Sequence, residues 1–284
     1  MKSMPGRLAL ACVLCTAPLA AALTPEGEIV FAVTEGVTYQ ATPKEIRDKF
    51  TPLAEVLAKV AGHRVKTVIV PGYAELRAGL ARQEYDIAFV HPAHVAMAEI
   101  KAGRYKAIAW TSGYTSYAVS ILTPATGPLK TMADLKGRTL VTPDPDSITA
   151  AMVRAMFRDG KLTVAADHDA SANAVRVITT RYQDSAPFYL EKGFAQAAAT
   201  ASGAVVSAWA DKGGKVLERS RPVPIKQIIV SGKMPAEEQV KLREALLFLR
   251  DLKNGREAID ALGYKGFVPP SPEVERATMD WLGL

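Results

Sequence analysis

"YDIAFVHPAHVAMAEI", Tyr85 to Ile100, decides how this chain is read. Its first half is a short apolar run typical of a buried strand. From Pro92 onward, "PAHVAMAEIKAG" carries apolar residues at helical spacing up to a closing glycine. Pro92 suits the first position of a helix, where its missing N–H costs nothing, so His91 is expected near the cap and His94 within the first turn.

The same strand-to-helix step recurs on both sides. Upstream, "EIVFAVTEG" (28–36) precedes "TPKEIRDKFTPLAEVLAKVAG" (42–62), where Ile46, Phe50, Leu53, Val56, Leu57 and Val60 keep a helical period. "VKTVIVP" and "YAELRAGLARQ" repeat it. Alternating strands and helices imply parallel strands with crossover helices. The pattern changes at "TSYAVSILTP" (115–124), read as a longer alternating strand, and a second α/β series follows. That series ends at "VPIKQIIVS" (223–231), after which only helical patterns are expected. The expectation is an α/β protein of two lobes joined by two extended crossovers. Residues 23–120 plus 225–284 form the first lobe and 121–224 the second, with the C-terminal helices returning to the first.

The N-terminus sets the compartment. Lys2 and Arg7 precede "LALACVLCTAPLAAAL", which ends in Ala20 and Ala22. A basic head, a short apolar core and an Ala-x-Ala exit describe a secretory signal peptide, residues 1–22, and hence a periplasmic destination. The alternatives are an uncleaved anchor and a lipoprotein. The first is opposed by the run's length, since a span needs roughly 20 apolar residues. The second is opposed by Leu14 before Cys15 and by the very short core ahead of Cys12. Both cysteines lie in this leader, so the mature chain has no thiol for a disulfide, a thiolate metal site or cysteine catalysis. Removing Lys2 and Arg7 lowers the formal charge from +6 to +4. The basic residues are scattered, which disfavours nucleic acid and suits a small anionic ligand.

Ligands in open α/β sheets bind beyond the carboxyl ends of strands, where helix N-termini offer N–H groups and partial positive charge. Four joints qualify: "VTEGVTYQAT", "VPGYAEL", "FVHPAH" and "VTPDPDSITAA". They nominate Tyr73, His91, His94, Ser147 and Thr149, and "GYTSYAV" adds Tyr117 near the crossover. Each has a plainer reading: Ser147 as an N-cap, Tyr73 as a surface aromatic, His94 as a packed core residue. Zinc at the His-x-x-His spacing lacks an acidic third ligand, so no metal and no cofactor are expected. The two imidazoles could make binding pH-dependent, given an ordinary pKa of about 6.5.

"YAELRAGLARQEYDIAFVHPAHV", "LKGRTLVTPDPDSITAA" and "RSRPVPIKQIIVSGKMP" resemble, in order and spacing, elements of periplasmic phosphonate/phosphite/phosphate-binding proteins, the substrate-binding components of ABC importers. The resemblance covers residues 28 to 250. It implies the two-lobed type II periplasmic-binding-protein fold, a small oxyanion or organic acid held by hinge closure, an ABC permease in the inner membrane as partner, and a monomer. It places Tyr73, His91 and His94 on the first lobe's side of the cleft, Ser147 and Thr149 at an anion-binding helix start, and Tyr117 by the hinge. The chain also departs from the family. Gln183 stands where a histidine is expected, and Thr200 to Ser202 where a carboxylate is expected. His91 replaces a glycine, and His168 is out of register. Losing that carboxylate argues against an aminoalkylphosphonate. The alternative role is ligand sensing for a membrane histidine kinase with the same fold. Enzymatic activity has no support: there is no Gly-x-Ser-x-Gly elbow and no phosphate loop.

Overall fold

The computed structural model describes residues 27–36, 41–165 and 173–284. The leader, both cysteines and His168 lie outside them. In chain order the first sheet takes β1 (Ile29–Thr34), β2 (Val65–Ile69), β3 (Ile87–Val90) and β4 (Tyr105–Thr111). Between these strands run α1 (Pro43–Ala61), α2 (Tyr73–Ala81) and α3 (His94–Lys101). The chain then crosses to β5 (Ser120–Thr123), β6 (Thr139–Thr142), α4 (Ile148–Asp159), β7 (Thr163–Val164), β8 (Ala174–Thr179), α5 (Ala186–Glu191), β9 (Ala197–Thr200), α6 (Gly203–Asp211) and β10 (Lys215–Arg219). It returns as β11 (Gln227–Ser231), α7 (Ala236–Leu247), α8 (Gly255–Leu262), β12 (Phe267–Val268) and α9 (Pro272–Leu282).

Two six-stranded sheets result, ordered β12-β4-β11-β3-β1-β2 and β10-β5-β9-β6-β8-β7. In the first, β1 pairs in parallel with β2 and β3, while β11 runs antiparallel between β3 and β4. The period of two is visible in β1. Phe31 and Val33 face a core with Phe50, Leu53 and Leu57 of α1, and Ala32 faces Leu76 and Leu80 of α2. α1 starts as its sequence demands: Thr42 and Glu45 form a capping box, Pro43 opens the first turn, and Gly62 ends it at φ 72°.

The two crossovers lie side by side. Tyr117 and Val223 exchange backbone hydrogen bonds at 2.9 Å, and the Ile225 N–H donates to the Tyr114 carbonyl. The long strands expected over 115–124 and 223–231 are therefore each half strand and half crossover, because their apolar alternation continues through both parts. Short β12 was not expected. It pairs with β4, and two residues carry too little pattern for periodicity to register.

The C-terminal helices divide between the lobes. α7 and α8 pack on α1, whereas Trp281 of α9 is buried in the second lobe's core and donates its Nε1–H to Asp159 at 2.8 Å. Met279, on the same helix, packs against Ala93 and Met97 of the first lobe. α9 therefore straddles both lobes instead of returning wholly to the first. Among the described residues no helix is long and apolar enough to cross a membrane.

Phe50 is fully buried, with its ring 4.7 Å from that of Phe89 and 6.3 Å from that of Phe31. Phe50→Ala is expected to cost about 3–5 kcal/mol, read as a lowered denaturant midpoint.

Candidate functional site

The joint between β3 and α3 folds differently in detail from its sequence pattern. His91 follows β3 directly, Pro92 comes next across a cis peptide bond, and α3 begins at His94 with Ala93 as its cap. Pro92 is thus not the first helical residue. The Ala93 N–H is drawn 2.9 Å to the Ile225 carbonyl on the second crossover, and the Pro92 carbonyl accepts from Val95. His91 comes to lie under the crossovers, buried at 5% exposure.

Across from it, Ser147 caps α4, its hydroxyl accepting from the Ala150 N–H at 3.1 Å and its carbonyl from the Ala151 N–H. The first-turn N–H groups of Ile148 and Thr149 have no acceptor within the helix. Ser147, Ile148 and Thr149 share a narrow pocket with Tyr73, His91, Pro92, Tyr117, Pro143 and Gln183. The Tyr117 hydroxyl hydrogen-bonds both Thr149 and Gln183, and the Gln183 side-chain carbonyl accepts from the Ala201 N–H at 3.2 Å. Six of the eight nominated residues therefore converge between the two sheets. The other two do not line the pocket. His94 braces the lobes by hydrogen-bonding the Asp146 main chain, and its buried Nδ1 has no hydrogen-bond partner. Thr200, fully buried, spends its hydroxyl oxygen on the Ser202 N–H.

The pocket as it stands has room for about 10 Å³, no more than a single water. One tie between the lobes is ionic, Arg77 to Asp146 at 3.2 Å, with both side chains roughly half exposed. Such surface pairs are worth about 0–1 kcal/mol, so this one does little to hold the lobes shut.

Gly36 closes the first-lobe wall at φ 89°, where a β-carbon would stand 3.1 Å from the Tyr73 hydroxyl and 3.3 Å from the His91 carbonyl. Beside it the His91 Nδ1 lies 2.6 Å from the Glu35 carbonyl oxygen. A carbonyl only accepts, so Nδ1 carries the proton and Nε2 is an acceptor. Burial, reinforced by the Lys226 charge, pushes His91 down to about 3. Burial with the Arg154 and Arg77 charges pushes His94 down to about 4. Both rings are therefore neutral between pH 5.5 and 8, which corrects the expectation that they make binding pH-dependent. Burial raises the Tyr117 phenol, so it remains a donor. Among the described residues no group of three His, Cys, Asp or Glu could hold a metal ion.

Sequence reasoning missed a charged cluster behind His91. The Glu35 carboxylate accepts from Lys49 at 2.7 Å and from the Tyr264 hydroxyl at 2.6 Å, with Lys226 3.5 Å away. Lys226 lies over the rings of Tyr114 and Tyr264, 4.3 and 4.7 Å from their centroids. Burial alone would raise Glu35, but Lys226 and Lys49 outweigh it and hold the carboxyl below its ordinary value. Burial pushes Lys226 down to about 8, against the opposing pull of Glu35. Lys226 was readable as a lysine inside the apolar run "VPIKQIIVS".

Three comparisons bear on this geometry. The model of a family described as the phosphonate ABC transporter periplasmic substrate-binding protein matches residues 36–274. No curated protein matches the sequence. XAC2383 from Xanthomonas citri bound to ATP shares the fold at TM-score 0.74 and 14% identity, over 90% of this chain and 95% of that one. PhnD1 from Prochlorococcus marinus in complex with methylphosphonate gives 0.63 at 11% identity, over 90% and 97%. A binding protein component of an ABC phosphonate transporter from Pseudomonas aeruginosa gives 0.58 at 15% identity, over 91% and 95%. The fold is the two-lobed type II arrangement.

The neutral imidazoles have a consequence for stability. Their folded values lie below the unfolded 6.5, so the unfolded chain takes up protons first, and stability falls as pH drops below about 6.5 toward 4. Glu35 adds its own loss only below about 4.5. The urea midpoint is expected to decline between pH 7 and 5, and less steeply in His94→Asn. Parallel declines in the two proteins would refute the assignment.

Proposed function

The chain belongs to the periplasmic substrate-binding proteins of phosphonate ABC transporters, and from that premise we propose how its own residues capture a ligand. It is a solute-binding protein of an ABC importer, and family membership favours import over kinase sensing. In our reading Tyr73, His91, Tyr117, Ser147, Thr149 and Gln183 hold a small oxyanion, with His94 and Thr200 supporting from behind. The observation that carries this is their convergence, from both lobes and one crossover, on the tip of α4.

The chemistry of the set supports an anion with a protonated oxygen. The hydroxyls of Tyr73, Tyr117, Ser147 and Thr149, the Gln183 amide and the first N–H groups of α4 are donors without formal charge. Neutral His91 supplies an acceptor at Nε2. One protonated ligand oxygen could donate there while the remaining oxygens accept from the donors. A phosphonate, phosphite or phosphate monoanion fits that count.

Mechanistically, the narrow pocket is the closed state. Lobes hinged at the paired crossovers part to admit ligand, and the ligand favours closure by its differential affinity for the two states. The protein is a monomeric carrier without turnover. It is exported by a leader removed near Ala22, and it delivers cargo to a permease in the inner membrane.

Purified mature protein is expected to show a rise in Tm with at least one of methylphosphonate, phosphite and phosphate. Saturation at 100 times Kd corresponds to about 2.7 kcal/mol. Ser147→Ala with Thr149→Ala is expected to weaken that ligand roughly 10- to 100-fold, since hydrogen bonds to charged groups contribute about 1.5–3 kcal/mol. No shift with any of the three oxyanions would refute the assignment.

A further inference from the structure

The chain reaches α9 from the first lobe, yet the helix packs on the second. β12 belongs to the first sheet, and "PPSP", Pro269 to Pro272, leads from that strand straight into α9, which lies on α4. We propose that α9 is a closure strap: it rides with the second lobe, and its Met279 seats on Ala93 and Met97 of the first lobe to hold the cleft shut over a bound ligand. This inference rests on the reading of the narrow pocket as the closed state of an oxyanion carrier.

Three observations carry it. The first is the inequality of the two attachments. On the second lobe's side Trp281 is buried in a core that includes Met156 and Phe157 of α4. Its Nε1–H donates to Asp159 at 2.8 Å, and its carbonyl accepts from Arg158. Arg221 of the second crossover lies 5.9 Å from its ring centroid and 3.6 Å from the Asp159 carboxylate. On the first lobe's side Met279 packs on Ala93 and Met97, with Leu282 and Leu284 at the edge and an exposed hydrogen bond from Lys101 to the Leu284 carbonyl. The second attachment is the easier one to release.

The second observation is rigidity. Met279 and Trp281 are two positions apart on one helix, about 200° around its axis, so a single turn enters both lobes from opposite sides. One rigid turn cannot follow two bodies that separate, so parting the lobes withdraws the weaker anchor. Methionine suits a contact that is broken and remade, being unbranched and adaptable. The proline-rich link to β12 is a stiff, short tether for such a helix.

The third is the place of the seat. Ala93 follows Pro92 of the pocket wall. Its N–H donates to the Ile225 carbonyl at 2.9 Å, and its carbonyl accepts from the Gln227 amide at 3.1 Å. Met279 therefore presses on a fixed residue next to the ligand site without lining that site itself. It is a positioning residue.

The test is stopped-flow kinetics on the purified mature protein with methylphosphonate, phosphite and phosphate. Ligand enters the open form and the strap engages on closure, so the release rate carries the effect. Met279→Ala and Met279→Gln are expected to raise koff about tenfold, part of what burial of a methionine contributes, with kon within about twofold of wild type. Met279→Leu keeps the apolar volume and should leave both rates within about twofold of wild type. Circular dichroism and the ligand-free urea midpoint establish that each variant folds. A methionine that only stabilised the fold would lower the midpoint and leave koff unchanged. An unchanged koff in both folded variants, or equal acceleration by Met279→Leu, would overturn the strap and leave the oxyanion site standing. Failure of all three anions to bind folded wild-type protein would overturn the oxyanion reading and the strap together.

Discussion

A single hydrogen bond orders the first lobe's share of the cleft: the His91 Nδ1–H donating to the Glu35 carbonyl at 2.6 Å. It ties the end of β3 to the end of β1, neighbouring parallel strands whose carboxyl ends open on the crevice. It fixes the tautomer, so the ring presents an acceptor at Nε2. It also sets the Glu35 side chain among Lys49, Lys226 and Tyr264, which come from α1, the second crossover and the loop after α8. Backbone and side chain of one residue thus serve the pocket wall and the cluster behind it.

The opposing lobe contributes a helix tip in place of a charge. Among the described residues lining the closed pocket no side chain is ionised at neutral pH, so the polar groups it offers are dipoles and hydroxyl donors. Such groups need little desolvation compared with ammonium ions. The lysines stand in the cluster behind His91. Two adjacent crossover strands and the straddling α9 link the lobes, so opening must bend the former and slide or carry the latter.

Much of this was legible in the sequence because it is local. Thr42, Pro43, Glu45 and Gly62 announce α1, Ser147 announces α4, and the alternation of Phe31, Ala32 and Val33 sorts β1 between two cores. Strand-to-helix joints nominated Tyr73, His91, His94, Ser147 and Thr149 because such joints open on the crevice in a sheet of this kind, and all but His94 line the pocket. The long-range pairings were not legible. Glu35 meets Lys226 across 191 positions and Tyr264 across 229, and no local period encodes such a meeting. Pro92 misled because Ala93 gives its N–H to Ile225, a partner 132 residues away, and so delays the helix by two positions. The protonation of His91 was also hidden, since it depends on burial that only the assembled lobes create.

In our reading the lobes close over a bridging oxyanion. Small-angle X-ray scattering of the mature protein, with and without a ligand that raises its Tm, tests this closure most directly. A smaller radius of gyration with ligand is the predicted result, together with a ligand-bound curve that the closed structure reproduces. Superimposable curves for the free and saturated protein would contradict it.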